Sequence, residues 1–212
     1  MSSDTLEVVR GEFMLEDPWA VPSSCAAVRL RRSTDGSVPR LATTVSAYYD
    51  DRYLNVVFSC ADDYLEATLL DHDAPIYEED VVEVFLAPGS PAEYYEIDVS
   101  PMGTVFDARV ESPDGVRETM TADAGWDCAG LLSGVRRLVE ANGSVTVDTT
   151  IRIPFRGLRR GPPGDGEVWR ANFFRVDRNP SAGDEYSAWR PTMKAPPDFH
   201  VVAAFGALIF RW

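Results

Sequence analysis

The chain has 212 residues, of which 45% are apolar and 25% charged, and its formal net charge is −14. This composition excludes a disordered chain, and the negative charge disfavours nucleic acid and anionic membrane surfaces as partners because both would repel it. Neutral ligands and divalent cations suit the charge better. No apolar run is long enough for a transmembrane helix, and no signal peptide is visible, so a cytoplasmic location is expected if the chain is complete.

Alternating apolar and polar residues predict strands along most of the chain, separated by turns rich in Gly, Pro, Asn and Asp. In chain order the predicted strands are a short run around Val28 and Leu30, then Leu41 to Tyr49, Tyr53 to Phe58, Asp80 to Leu86, Tyr94 to Val99, Thr104 to Val110, Leu131 to Glu140, Ser144 to Ile153, Val168 to Asp177 and Ala207 to Phe210. Short helical turns are predicted only at Asp62 to Leu70 and Pro154 to Leu158. Regularly spaced strands with so little helix predict an all-β protein, an antiparallel sandwich of two sheets in one domain spanning residues 1–212.

The three cysteines are odd in number and widely spaced. This spacing favours buried or incidental thiols over a disulfide framework or a zinc site.

Two acidic strands carry the most informative chemistry. Alternation puts Glu83 on one face of its strand, and puts Glu96 and Asp98 together on one face of the next. A hairpin that pivots near Gly89 and Ser90 would place Glu83 opposite Glu96. Like charges directly across a ladder require a compensating partner, such as a cation, a proton or sugar hydroxyls.

Arg175 is the predicted compensating cation, since its strand alternates Trp169, Phe173 and Arg175 on one side. The alternative interpretation is a solvated, charged face of the sheet. Separately, Asp71, Asp73 and Asp80 are candidate oxygen ligands for Ca²⁺, although such acidic stretches are usually plain surface loops.

Several blocks together resemble family 9 carbohydrate-binding modules and their DOMON-like relatives. The blocks are Tyr77 to Leu86, Tyr94-Tyr95-Glu96, Pro101 to Asp107, Ile151 to Phe155, Trp169 to Arg175, Trp189 to Thr192, Phe199-His200 and Phe205-Gly206. The resemblance as a whole covers about residues 40 to 210. The resemblance implies a β-sandwich that binds sugar between two aromatic rings and carries structural calcium.

The same resemblance implies roles for individual residues. Tyr77 falls where such modules place one clamp ring, and Glu83 matches a sugar-binding Glu. Glu96 falls where a typical binder has a basic residue. The second clamp ring is expected shortly before Phe205, with Phe199 and His200 as the nearest candidates.

The leading hypothesis is therefore non-catalytic binding of a mono- or oligosaccharide, with a separate carbohydrate-active enzyme as a conceivable partner. The predicted ligand-binding residues are Tyr77, Glu83, Glu96, Asn172, Arg175, Trp189, Phe199 and His200. One alternative is a glycosidase or lyase that uses Glu83 and Glu96. Another is a haem-binding domain of DOMON type, for which the candidate ligands are Met102, Met120, Met193 and His200.

Overall fold

The computed structural model describes residues 4–212 and contains 14 strands and three short 3-10 helices in that range. The strands are β1 Thr5–Arg10, β2 Ala27–Arg29, β3 Arg31–Arg32, β4 Thr43–Tyr49, β5 Tyr53–Asp62, β6 Val81–Ala87, β7 Glu93–Val99, β8 Val105–Glu111, β9 Thr121–Asp123, β10 Leu132–Val139, β11 Val145–Pro154, β12 Val168–Asp177, β13 Glu185–Ala188 and β14 Gly206–Arg211. The 3-10 helices are Ile76–Glu78, Arg117–Thr119 and Val202–Ala204.

The strands form one hydrogen-bonded path that folds into two layers. The first layer has the order β10-β11-β5-β4, with β2 on β4; the second has the order β14-β12-β6-β7-β8-β9, with β13 on β12. Strand β1 joins the layers because it pairs in parallel with both β4 and β14. All other described pairings are antiparallel, so the predicted all-β sandwich with very little helix is confirmed, with β1 as an added parallel link.

The main core lies between the two layers. Phe58 of β5 and Phe173 of β12 meet edge to face with ring centroids 6.1 Å apart. Val45 and Ile151 from the first layer join the same buried cluster as Val84 from the second. Alternation explains this packing, since every second residue of each strand points inward.

The second layer also buries its outer face, and this face positions the candidate site. Val81 and Phe85 of β6, Tyr94 of β7 and Phe174 of β12 form a separate apolar cluster there. Loops around Ile76 and residues 199–205 cover the cluster. A cavity remains between the sheet and these loops.

The predicted helix from Asp62 to Leu70 is wrong. Strand β5 extends to Asp62, and residues 64–70 have no regular structure. Acidic side chains replace the helical hydrogen bonds: Glu66 donates its backbone N–H to Asp80 at 2.8 Å, and Thr68 donates its own to Glu79 at 2.6 Å.

The second predicted helix, Pro154 to Leu158, is a set of turns that follows directly on β11. Strands β1, β9 and β13 were not predicted. No helix among residues 4–212 has the length and apolar character needed to cross a membrane.

Candidate functional site

A cavity of about 340 Å³ opens on the outer face of the second layer. Its walls are partly aromatic and partly charged. The lining includes the rings of Tyr77, Phe106, Tyr186 and Phe199, and the polar groups of Glu83, Glu96, Arg117, Asp198 and His200. A concave, largely apolar site with a few polar groups is typical of small-molecule binding.

Tyr77 supplies the most accessible ring of the cavity. It lies in the 3-10 helix Ile76–Glu78, is 43% exposed, and contacts Phe106 edge to face at a centroid distance of 5.3 Å. Phe199 is more buried, because it stacks on Phe174 at 4.2 Å and so has one face covered. Tyr77 is therefore the better platform for the apolar face of a sugar.

Three buried carboxyl groups lie side by side at this face of the sheet. Glu83 is directly opposite Asp98 in the β6–β7 ladder, and Glu96 is opposite Phe85. One oxygen from each of Glu83, Glu96 and Asp98 lies within 4.8 Å of the others. Glu83 and Glu96 line the cavity.

The predicted cross-strand partner of Glu83 is wrong, although the predicted face is right. The turn between β6 and β7 pivots between Ser90 and Pro91, as the pairing of Leu86 with Tyr95 requires. A pivot one residue later than predicted moves each pairing by two residues, so the side chains keep their face. Asp98, and not Glu96, is therefore the residue opposite Glu83.

Burial dominates the electrostatics of these carboxyl groups. It raises the pKa of Glu96 to about 7, an effect that Arg117 partly opposes. Burial and then the neighbouring Glu96 raise the pKa of Glu83 well above its usual value. For Asp98 the pKa is also raised well above the usual value, by burial first and by Glu83 and Glu96 next.

His200 borders the carboxyl groups but does not neutralise them. Its Nδ1 is hydrogen-bonded to the Tyr94 hydroxyl at 2.6 Å, and its Nε2 lies 3.9 Å from Glu96. Burial lowers the pKa of His200 to about 4, so the ring is neutral at neutral pH. Arg117 lines the cavity as well and pairs with Asp198 at 3.5 Å.

The structure does not place Arg175 at the site. It lies on the face of β12 that points between the layers, next to Phe173, whereas the three carboxyl groups point outward. Its guanidinium donates hydrogen bonds to Asp177 at 2.7 Å and to the Ala61 carbonyl at 2.7 Å, and it forms an ion pair with Asp62 at 3.5 Å. Two residues with odd numbers on different strands need not lie on the same face of the sheet. For this reason the sequence placed Arg175 on the wrong face.

Asn172 and Trp189 also lie away from the cavity. The fully buried Asn172 amide donates to the Arg190 carbonyl at 2.8 Å and accepts the Arg190 backbone N–H at 2.9 Å. Trp189 is fully buried and stacks on Phe173 at 5.5 Å. Both residues hold the chain together rather than face a ligand.

The three aspartates considered for calcium do not form one ligand set. Asp80 accepts hydrogen bonds from the backbone N–H groups of Glu66 and Arg178, one on each carboxylate oxygen. Its side chain therefore holds these loops in place. Asp73 belongs to an exposed group with His72 and Asp127 that contains neither Asp71 nor Asp80. Asp71, Asp73 and Asp80 therefore do not form one calcium site together.

The methionines considered for haem do not single out a haem site either. Met102 and Met193 are exposed surface residues. Met120 lines the cavity, but its sulfur and His200 Nδ1 both contact the Tyr94 hydroxyl. The second nitrogen of His200 faces Glu96.

Five of the eight binding residues predicted from the sequence line the cavity: Tyr77, Glu83, Glu96, Phe199 and His200. It missed Phe106, Arg117, Met120, Tyr186 and Asp198. Strand alternation had already put Asp98 on the correct face and could have included it. Arg117 lies in a loop with no periodic pattern, so no signal indicated its position.

The family model for carbohydrate-binding family 9 matches residues 29–210 of the chain. A provisionally assigned carbohydrate-binding protein from Bacteroides uniformis is 17% identical, with a TM-score of 0.77 over 98% of this chain and 99% of that one. A family 9 carbohydrate-binding module from Caldicellulosiruptor kristjanssonii, solved with cellotriose, is 16% identical, with a TM-score of 0.64 over 98% and 93% of the two chains. The structure of such a module from the same organism with glucose gives 16% identity and a TM-score of 0.62 over 98% and 95%. No curated protein matches the chain.

Proposed function

Because the chain belongs to carbohydrate-binding family 9, we propose that it holds a mono- or oligosaccharide in the cavity beside Tyr77. The family comprises binding modules without catalytic activity, so the chain is not an enzyme, in agreement with the leading hypothesis from the sequence. Two solved structures of family 9 modules with a similar fold are complexes with cellotriose and with glucose, which supports a glucose-type ligand for the first trials.

The observation that carries the proposal is the combination of a half-exposed ring with buried acidic groups in one cavity. Tyr77 would stack on the C–H face of a sugar ring. Glu83 and Glu96 would form hydrogen bonds with the hydroxyl groups of the sugar. Arg117 would donate to a ring or hydroxyl oxygen at the rim.

A cavity of this size favours a short ligand. About 340 Å³ is at the lower end of the range for small-molecule sites, so one or two sugar units would fill it. A separate carbohydrate-active enzyme as a partner remains a prediction from the sequence.

Calorimetric titration with a panel of mono- and oligosaccharides tests the proposal, starting with glucose and cellotriose. We expect saturable binding to at least one sugar, and weaker binding after Glu83→Gln. A folded protein that binds no sugar of a broad panel, in the presence or absence of Ca²⁺, would contradict the proposed function.

A further inference from the structure

Asp98 is a buried acid without a hydrogen-bond partner. Its side chain is fully inaccessible to solvent, and neither carboxylate oxygen has a partner among residues 4–212. Buried polar groups in folded proteins are nearly always paired, because leaving a carboxylate unpaired in the interior is costly. Asp98 is therefore the position in this cluster that a group from outside the protein chain would complete.

The neighbours of Asp98 increase the need for a positive charge. Glu83 and Glu96 each place an oxygen within 4.8 Å of it, and both are themselves buried. Within the described chain, no Lys or Arg forms an ion pair with any of the three acids, and the nearest ring nitrogen, His200 Nε2, lies 3.9 Å from Glu96. Arg117 acts on Glu96 only at longer range and is paired with Asp198.

We propose that Glu83, Glu96 and Asp98 bind a divalent cation, Ca²⁺, at the base of the cavity. Calcium takes six to eight oxygen ligands at about 2.3–2.6 Å, so two oxygens on the same ion lie up to about 5 Å apart. One oxygen of each acid lies within 4.8 Å of the others, so the three can share one ion. Three carboxylates can supply as many as six of those oxygens.

A metal ion explains the arrangement better than the ammonium group of an amino sugar. Glu83 and Glu96 reach the cavity wall, whereas Asp98 does not line the cavity. An ammonium group carried by a sugar in the cavity would reach the two glutamates and leave Asp98 unpaired. A single ion that passes between the glutamates would contact all three acids.

The ion would also face the cavity, because two of its ligands line it. Two neighbouring hydroxyl groups of a sugar could then complete its coordination. This second step rests on the proposed function, and it makes sugar affinity depend on Ca²⁺. Cation binding itself is measured without sugar, so the two proposals can fail separately.

Calorimetric titration of chelator-treated protein with CaCl₂ at pH 7.5 tests the cation site directly, with MgCl₂ and MnCl₂ as further arms. We expect one Ca²⁺ per chain, and at least a tenfold loss of affinity in Asp98→Asn. Asp148→Asn is the matched control, since Asp148 is also a buried carboxylate but lies on β11 in the other layer. Its calcium affinity should equal that of the wild type.

Terbium luminescence provides a second readout, because Tb³⁺ replaces Ca²⁺ and Tyr94, two residues before Glu96 on β7, can sensitise it. Ca²⁺ should raise the melting temperature of the wild type and leave that of Asp98→Asn unchanged. If Asp98→Asn does not fold, Glu96→Gln serves as the test variant.

Three results would overturn the proposal. The first is a folded wild-type protein that binds none of the three cations. The second is calcium binding that the Asp98 and Glu96 variants leave intact, which would place the ion elsewhere, for example at His72, Asp73 and Asp127. The third is metal-free binding of glucosamine in strong preference to glucose, which would assign the acids to an ammonium group.

Discussion

Tyr77 is the residue whose removal should affect sugar binding most selectively. Its ring is 43% exposed and its edge contact to Phe106 leaves surface free for a ligand. Stacking on an aromatic ring contributes about 0.5–1.5 kcal/mol beyond area burial, so Tyr77→Ala should weaken sugar binding roughly three- to tenfold. Tyr77→Phe keeps the ring and should bind almost as the wild type does, as measured by calorimetry.

Tyr64→Ala is the matched control for this experiment. Tyr64 has the same exposed fraction, 43%, but does not line the cavity. Its removal should leave sugar affinity unchanged. If Tyr77→Ala and Tyr64→Ala behaved alike, the cavity would not be the sugar site.

Asp80 should make the stability of the protein pH-dependent. Burial raises its pKa from 3.8 to about 6, although it accepts two backbone N–H groups. An acid with a raised pKa in the folded state stabilises the fold while protonated, and this contribution is lost as the pH rises from about 4 through 6. We expect Asp80→Asn to lose this part of the pH dependence.

The measurement is the melting temperature of both proteins between pH 4 and 7.5. The difference in melting temperature between Asp80→Asn and the wild type should change by a few degrees across that range, in favour of the variant at the higher pH. A constant difference would show that Asp80 does not titrate there.

Residue type alone was a poor guide to the site. Trp189 and Asn172 belong to types common in sugar sites, yet one packs on Phe173 and the other fixes the backbone at Arg190. Tyr77 was placed by the resemblance, and it lines the cavity. The environment of a side chain depends on contacts distant in sequence, which composition and alternation do not specify.

Among the elements, β14 shows a close approach that only glycine permits. A Cβ at Gly206 would lie 2.4–3.0 Å from three atoms of the buried Trp189 ring. Since such overpacking costs about 1–3 kcal/mol, Gly206→Ala should lower the free energy of unfolding by that amount in urea titrations. Gly161→Ala is the control, because nothing lies within 4 Å of a Cβ there.

The elements also show what strand alternation can and cannot predict. The period of two placed Glu96 and Asp98 on one face of β7, and a predicted hairpin pivot brought Glu83 of β6 to the same face. The pairing itself depended on the turn after β6, where Pro88 to Ala92 form a five-residue connection between Ala87 and Glu93. Turns of this length allow several pivots, so register needed the structure.

For the whole molecule, the feature least visible in the sequence is the role of β1. Its alternation is short, and its partners β4 and β14 begin about 40 and 200 residues further along the chain. The match to the family begins at residue 29, after β1. Nevertheless β1 is the only described strand that pairs with both layers, so it completes the continuous sheet.

This arrangement makes the N-terminal strand important for the stability of both layers. Leu6 is 2% exposed and belongs to the main core, so Leu6→Ala should cost about 2–5 kcal/mol of unfolding free energy. Glu7 points outward in the same strand and pairs with Arg211 at the surface, so Glu7→Ala should cost less than about 1 kcal/mol.

Hydrogen exchange can show whether the damage spreads through β1 to both of its neighbours. In Leu6→Ala, amide protection should fall in β4 of the first layer and in β14 of the second, since β1 pairs with each. A loss confined to one of these strands would mean that β1 packs on one layer only. Equal stability of the Leu6 and Glu7 variants would mean that β1 is not part of the folded core, and that the contacts between Phe58, Phe173 and their buried neighbours hold the layers together without it.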